Sequence, residues 1–155
     1  NIIALQPKIL ALNNKKMFEY AGAGGCYIDI YGYPICRGRV CVDIEKDTGQ
    51  YEDTREVFWC SGVAMFLRNS VLRKIGYLDE DFFIYSEEMD LSWRINLAGF
   101  KQLYVPASKI YHLGSATMGD SGHKSRIKSD KKSIKKVFLQ DFMNRFLKLM
   151  ANLIT

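Results

Sequence analysis

Residues 57–112 alternate patterns typical of strands and helices, and this alternation limits the folds open to the chain. An almost unbroken apolar run over 57–68 predicts a strand that is buried on both faces. Two short strands are predicted further on, over 102–105 and 109–112. Two helix patterns lie in between, and alternating strands and helices predict an α/β fold, with helices flanking a sheet.

Both predicted helices are bounded by residues that favour helix ends. The first helix is predicted over 70–75, after Asn69 as N-cap and before Gly76. Ser86 is a suitable N-cap for the second helix, and Gly99 is expected to end it.

Residues 19–56 are rich in Gly, Tyr and turn-forming residues, which predicts a long loop. A loop of this length in a compact domain is usually functional. The alternative, a mobile crossover packed by its own aromatic side chains, stays open.

The 155 residues are 48% apolar and 25% charged, which predicts one folded domain and excludes wholesale disorder. No apolar run is long enough to span a bilayer, and the first residues do not resemble a signal peptide. The chain does not begin with Met, and we expect it to be a piece of a longer protein.

The chain has four cysteines, Cys26, Cys36, Cys41 and Cys60. They do not have the spacing of a zinc site. Without a secretion signal we expect free thiols in a cytoplasmic protein.

The formal charge of +5 is concentrated in one segment. Residues 1–123 have a net charge of −2, whereas residues 124–136 have a net charge of +6. Because the positive charge is local rather than spread over a folded face, binding to nucleic acid is not expected. We predict a body over 1–118, a basic linker over 119–136 and an amphipathic helix over 137–155.

Three acidic residues at the start of the second predicted helix are the main candidates for acid–base chemistry. At helical spacing Glu88 shares a face with Leu91 and Ile95, so its carboxylate is expected to point toward the apolar side. A carboxylate that loses water has a raised pKa and becomes a usable proton acceptor near neutral pH. A plainer interpretation stays open, because acids in a first helical turn often only complement the helix dipole.

Glu87 lies on a different face of this helix, in line with Asp90 and Arg94. Asp90 and Arg94 are four residues apart, with the acid first, and this spacing favours an ion pair.

His112 ends the last predicted strand, just before a turn, where a side chain can project into a cleft. Its imidazole could ligate a divalent metal, bind a phosphate or only pack. The Asp79-Glu80-Asp81 run, before the second predicted helix, looks like a metal-binding Asp-x-Asp pattern. We interpret that run as a turn before a helix, because loop and capping roles account for it.

Several segments taken together resemble the second half of bacterial family 2 glycosyltransferases, of the rhamnosyltransferase-like type that acts in cell-envelope polysaccharide synthesis. The resemblance covers about residues 6–117, and its segments occur in the order and at the approximate spacing of the family. The segments are FEYAGAGG (18–25), YGYPICRGR (31–39), VFWCSGVAMFLR (57–68), LDEDFFIYSEEMDLSWR (78–94), LAGFK (97–101) and YVPASKIYHLGSAT (104–117).

The resemblance implies the C-terminal, acceptor-side half of a GT-A fold, joined by a continuous mixed sheet to a Rossmann-like nucleotide-sugar half. It implies an enzyme that inverts the anomeric centre in a single displacement. The implied partners are a nucleotide-sugar donor, a glycan or lipid-linked acceptor, and a divalent metal, Mg²⁺ or Mn²⁺, whose other ligands lie outside this chain.

The resemblance also implies roles for individual residues. Glu88 matches the general base that deprotonates the acceptor hydroxyl, and His112 matches a histidine that completes the coordination of the metal. The residues implied to support the base are Glu87, Asp90, Trp93 and Arg94. The residues implied to lie beside the acceptor are Trp59, Ser61 and Gly62.

The chain departs from the family pattern in three respects. Glu88 stands where Asp is commoner, and Cys26 and Cys60 stand where Gly or Ala is expected. Nothing in residues 1–60 resembles the strand, Gly/Ser loop and helix that bind the nucleotide. We therefore expect the chain alone to be an incomplete fragment that transfers no sugar.

The C-terminal segments support one alternative function, a membrane-binding module. A basic stretch followed by an amphipathic helix favours anionic membrane surfaces, which would place the protein peripherally at the inner face of the membrane. A lipid-linked acceptor would make this alternative compatible with sugar transfer.

Overall fold

The computed structural model describes residues 1–40, 42–80, 82 and 86–114, and these form a mixed α/β fold. In chain order the elements are β1 (Ile2–Ala11), β2 (Cys26–Ile28), β3 (Pro34–Cys36), β4 (Arg39–Val40), β5 (Asp43–Ile44), β6 (Arg55–Val57), β7 (Phe66–Leu67), α1 (Asn69–Ile75), α2 (Glu87–Leu97) and β8 (Lys101–His112).

The main sheet is mixed and has its two long strands at the centre, in the order β6-β8-β1-β7. The central strands β1 and β8 are parallel, and the short edge strands β6 and β7 are antiparallel to their neighbours. The mixed sheet and the α/β class agree with the sequence prediction.

The central strand β1 has two polar side chains that are completely buried, Gln6 and Lys8. Gln6 Nε2 donates to the carbonyl of Gly22 at 2.8 Å, and Gln6 Oε1 accepts from the backbone N–H of Ser61 at 2.8 Å. Buried polar groups are tolerated where they are paired, so Gln6 links β1 to the two turns beside it. β1 was not predicted from the sequence.

The predicted long loop over 19–56 contains a second sheet, so that prediction is wrong in part. Strands β2 to β5 form an antiparallel meander, β2-β3-β4-β5. Gly32 and Gly38 lie in its connections with φ of 83° and 89°, a region that L side chains rarely adopt. At Gly38 a Cβ would also come within 2.7 Å of the Phe18 ring. The many glycines of this segment therefore permit tight strand connections.

The prediction of one buried strand over 57–68 is wrong. The segment begins with Val57, the last residue of β6 at one edge of the main sheet, and it contains β7 at the other edge. Between these edges the chain turns at Ser61, whose Oγ donates to the Ala21 carbonyl at 3.0 Å and whose own carbonyl accepts from Ala64 N–H at 3.2 Å. The apolar character reflects the burial of Trp59 and Cys60 in this connection rather than a continuous strand.

The two strands predicted over 102–105 and 109–112 are joined in one strand, β8, with an interruption in its pairing. Pro7 of β1 pairs with Val105 and the next residue, Lys8, pairs with Lys109. Because proline lacks the N–H that a ladder needs, the irregularity falls at Pro106, between the two predicted strands.

Both helices lie close to their predicted positions. The N-cap of α1 is Arg68, one residue before the predicted Asn69, and Gly76 ends the helix with φ of 90°. Ser86 precedes α2 in a left-handed conformation, φ 73°, and its side chain makes no capping hydrogen bond, so the predicted capping by this hydroxyl is wrong.

One hydrophobic core joins the main sheet to the two helices. Its buried members are Ile3, Ala4, Val57, Cys60, Val71, Leu72, Leu91, Ile95 and Tyr104. Cys26, Cys36 and Cys60 are buried free thiols, as expected.

Residues 115–155 lie outside the described residues, so the boundary at 118, the linker over 119–136 and the helix over 137–155 stay predictions. In the part of the chain that the structure describes, no helix is long and apolar enough to cross a membrane.

Candidate functional site

Helix α2 is fixed to the main sheet by its inward face. Leu91 and Ile95 are buried in the core. Between them Ser92 is also buried, and its Oγ donates to Gln102 Oε1 of β8 at 3.0 Å. As the helical spacing predicts, Glu88 lies one turn before Leu91 on this side of the helix.

The Glu88 carboxylate is largely removed from water. Its Oε2 is buried and has no hydrogen-bond partner in the described residues. Burial is the main cause that raises the pKa of Glu88 to about 7, and the neighbouring charge of Glu87 raises it further, while nearby backbone amides partly oppose the shift. A carboxylate with this pKa can accept a proton near neutral pH.

The turn at Ser61 and Gly62 lies beside the Glu88 side chain. A Cβ placed on Gly62 would lie 3.8 Å from both Cβ and Cδ of Glu88. The Ser61 hydroxyl is fixed in the turn, since it accepts from Val63 N–H at 3.2 Å and donates to the Ala21 carbonyl. Three of the predicted site residues, Ser61, Gly62 and Glu88, are therefore brought together.

Trp59 has a structural role beside this turn. Only 6% of the residue is exposed, and its indole N–H donates to the carbonyl of Tyr27 at 3.0 Å. The structure thus gives Trp59 a packing role, beside its predicted role next to the acceptor.

The ion pair predicted within α2 is present and is anchored to the preceding segment. Arg94 Nε and Nη2 donate to Asp90 Oδ2 at 3.0 and 2.8 Å. Arg94 also donates to the carbonyls of Ile75 and Tyr77 at 2.9 and 2.7 Å. These contacts fix the last turn of α2 against the end of α1 and the residues that follow it.

The other two supporting residues lie on the same helix. The Trp93 ring packs edge-on against Phe58, with 5.1 Å between the ring centroids. Glu87 Oε2 is buried and has no hydrogen-bond partner in the part of the chain that is described. Glu87 therefore acts on Glu88 through its charge.

His112 is the last residue of β8 and faces an acid that the sequence analysis missed. Its Nδ1 is buried and lies 3.5 Å from Glu19 Oε1. Glu19 is only 6% exposed, and its Oε2 accepts from the backbone N–H of Ala21 at 2.6 Å. A signal in the sequence was available, since Glu19 lies two residues before the glycine-rich run over 21–25.

A short chain of contacts connects His112 with the turn beside Glu88. Glu19 faces His112 and accepts a hydrogen bond from Ala21 N–H. The Ala21 carbonyl in turn accepts a hydrogen bond from Ser61 Oγ. His112 is thus linked through Glu19 and Ala21 to the turn that lies beside Glu88.

The described residues contain no cluster of three or more His, Cys, Asp or Glu side chains that could hold a metal by itself. His112 fits the role of a single ligand, because one ring nitrogen faces a buried carboxylate, as is usual for ligating histidines. This fits the expectation that the remaining ligands come from elsewhere.

The chain matches the glycosyl transferase family group 2 over residues 36–153, which is more than half of its length. The chain therefore belongs to family 2 of the glycosyltransferases, and the family resemblance inferred from the motifs is confirmed.

Bacterial rhamnosyltransferases are among the proteins that the chain is similar to. It is 38% identical over 58 residues to the N-acetylglucosaminyl-diphospho-decaprenol L-rhamnosyltransferase of Mycobacterium tuberculosis, a match that covers 37% of this chain and 19% of that protein. It is 40% identical over 62 residues to the rhamnosyltransferase WbbL of Escherichia coli K12, covering 40% of this chain and 23% of that protein. The matched segment is thus about a fifth of the length of these relatives.

Proposed function

We propose that this chain supplies the acceptor side of an inverting sugar transfer in which Glu88 is the general base. The observation that carries this proposal is the desolvated Glu88 carboxylate, with its unpartnered Oε2, against the Gly62 backbone at the start of α2. Gly62 has no side chain, so a space the size of a methyl group lies beside the Glu88 side chain, where the acceptor would approach.

The proposed reaction is one displacement at the anomeric carbon of the donor sugar. As the acceptor hydroxyl attacks, its proton passes to the Glu88 carboxylate. A bond forms between the acceptor oxygen and the anomeric carbon, and the bond to the diphosphate breaks with its electron pair on the leaving oxygen. A divalent metal would stabilise the charge on the departing diphosphate, with His112 as one of its ligands.

The names of the relatives favour a particular class of substrates. Both relatives are named as rhamnosyltransferases, and the mycobacterial name includes N-acetylglucosaminyl-diphospho-decaprenol, a lipid-linked sugar. We propose a nucleotide-activated deoxysugar as donor and a lipid-linked or glycan hydroxyl as acceptor, in cell-envelope polysaccharide synthesis. The nucleotide-binding elements and the other metal ligands would come from outside this chain.

The pH dependence of sugar transfer tests the proposed base. With a Glu88 pKa of about 7, kcat/KM should fall as the pH drops below about 7, because the carboxylate becomes protonated. Glu87→Gln should move this acidic limb to lower pH, since removing the Glu87 charge removes one cause of the raised pKa. The measurement is the pH profile of both proteins at full length, and an unmoved limb in the variant would contradict the assignment.

A substitution at Gly62 tests the approach of the acceptor. The Cβ of Gly62→Ala would make only ordinary van der Waals contact with Glu88, at 3.8 Å, so the fold should tolerate it. The added methyl would occupy the space beside the carboxylate, and we expect kcat/KM for the acceptor to fall by about 10–10²-fold. Donor affinity and the midpoint of thermal unfolding should change little. Unchanged acceptor kinetics would show that the acceptor binds elsewhere.

The membrane-binding alternative rests on residues 119–155, which lie outside the described residues. It stays a prediction, together with the peripheral cytoplasmic location.

A further inference from the structure

The buried acid Glu19 has one carboxylate oxygen hydrogen-bonded and the other facing His112. Oε2 is fixed by the backbone N–H of Ala21 at 2.6 Å, and Oε1 is directed at His112 Nδ1, 3.5 Å away. The Glu19 backbone is itself tied to β1, because its N–H donates to the Ile9 carbonyl at 3.0 Å. The carboxylate is therefore held from two sides and aimed at the imidazole.

His112 is anchored at the same place by its backbone. Its carbonyl accepts from Leu12 N–H at 2.9 Å, at the point where β8 ends beside β1. Its buried Nδ1 makes no hydrogen bond within the described residues, and Glu19 Oε1 faces it at 3.5 Å. A neutral imidazole has a single N–H, and a carboxylate facing Nδ1 favours the form in which that nitrogen holds the proton.

We propose that Glu19 is a positioning residue that keeps His112 in the Nδ1–H tautomer and so presents the Nε2 lone pair to a divalent cation. The inference rests on the proposed function, in which His112 ligates the metal on the donor diphosphate. A carboxylate that orients a ligating histidine also makes the ring a stronger donor, and loss of such a partner typically weakens metal binding by about 10–100-fold.

Gly114 leaves the space that this arrangement needs. A Cβ at Gly114 would come within 2.7 Å of Glu19 Oε1, a distance that forces the carboxylate to move. The φ of Gly114 lies outside the left-handed region, so Gly114→Ala should disturb the carboxylate without straining the backbone. This variant keeps Glu19 and supplies a second route to the same test.

Nitrogen–proton correlation spectra of the histidine-labelled, full-length protein test the tautomer directly, at about pH 8, where a free imidazole is neutral. A His123→Ala variant identifies the signals of the other histidine of this chain. We expect the wild-type His112 to be protonated at Nδ1, and we expect both Glu19→Ala and Gly114→Ala to shift the population toward the Nε2–H form. Glu56→Ala is the matched control, because Glu56 is an exposed acid paired with Lys101.

Titration of the same proteins with Mn²⁺ supplies the second readout. Glu19→Ala should weaken Mn²⁺ binding by about 10–100-fold, whereas Glu56→Ala should not. A wild-type His112 protonated at Nε2, or a tautomer unaffected by both variants, would overturn the inference. Full sugar transfer by Glu88→Gln would instead overturn the proposed function, without changing the His112 spectra.

Discussion

Replacing Glu88 with glutamine is expected to lower kcat for sugar transfer by about 10²–10⁴-fold in the full-length protein, the usual contribution of a general base. Glutamine has nearly the same shape and can occupy the same place against Gly62. Its amide cannot take the proton of an acceptor hydroxyl. Equilibrium binding of the nucleotide sugar should change little, since the proposed role of Glu88 concerns the acceptor.

Glu80→Gln is the matched control for this experiment. Glu80 is an exposed acid in the segment before α2, and its loss should leave the turnover number at the wild-type value. Normal turnover in Glu88→Gln would place the base at another residue. A loss of donor binding together with activity would indicate a structural role for Glu88.

The same Glu88→Gln substitution is expected to stabilise the protein above about pH 7. The pKa of Glu88 is raised from 4.5 to about 7 in the folded state, so the folded protein holds this proton more tightly than the unfolded chain does. Ionisation of Glu88 therefore destabilises the fold progressively as the pH rises from 4.5 to about 7, by an amount on the order of 3 kcal/mol. Glutamine removes this penalty because it has no charge to desolvate.

Denaturant unfolding of the wild type and the variant, at about pH 4 and about pH 8, measures the effect. The free energy of unfolding of the variant relative to the wild type should be larger at the higher pH, since other titrating groups cancel in the difference. Glu80→Gln should show no such pH dependence. A difference for Glu88→Gln that is the same at both pH values would contradict a buried, ionising carboxylate at this position.

The helix that presents Glu88 could be predicted from the sequence because its determinants are local. The spacing of Leu91 and Ile95 sets the buried face, and the four-residue separation of Asp90 and Arg94 sets the ion pair. Both features depend only on helical geometry. The family motifs are also short local segments, spread over residues 18–117, and they gave the family correctly.

The features that the sequence did not reveal depend on contacts between distant segments. Gln6 can be buried in β1 only because the turns at Gly22 and Ser61 supply its partners. The apolar run over 57–68 has the composition of a strand, but the Ser61 turn divides it between two sheet edges. The proposed role of Glu19 depends on its contact with His112, which lies at the far end of the described sequence.

The parallel pairing of β1 with β8 has a consequence for how this sheet forms. Ile9 pairs with Ile110, so about 100 residues of chain must be looped before the central ladder can close. Contacts of such high sequence separation raise the entropic barrier to folding and slow it. During synthesis β1 can pair with β7 earlier, but its pairing with β8 cannot form until Lys101–His112 has left the ribosome.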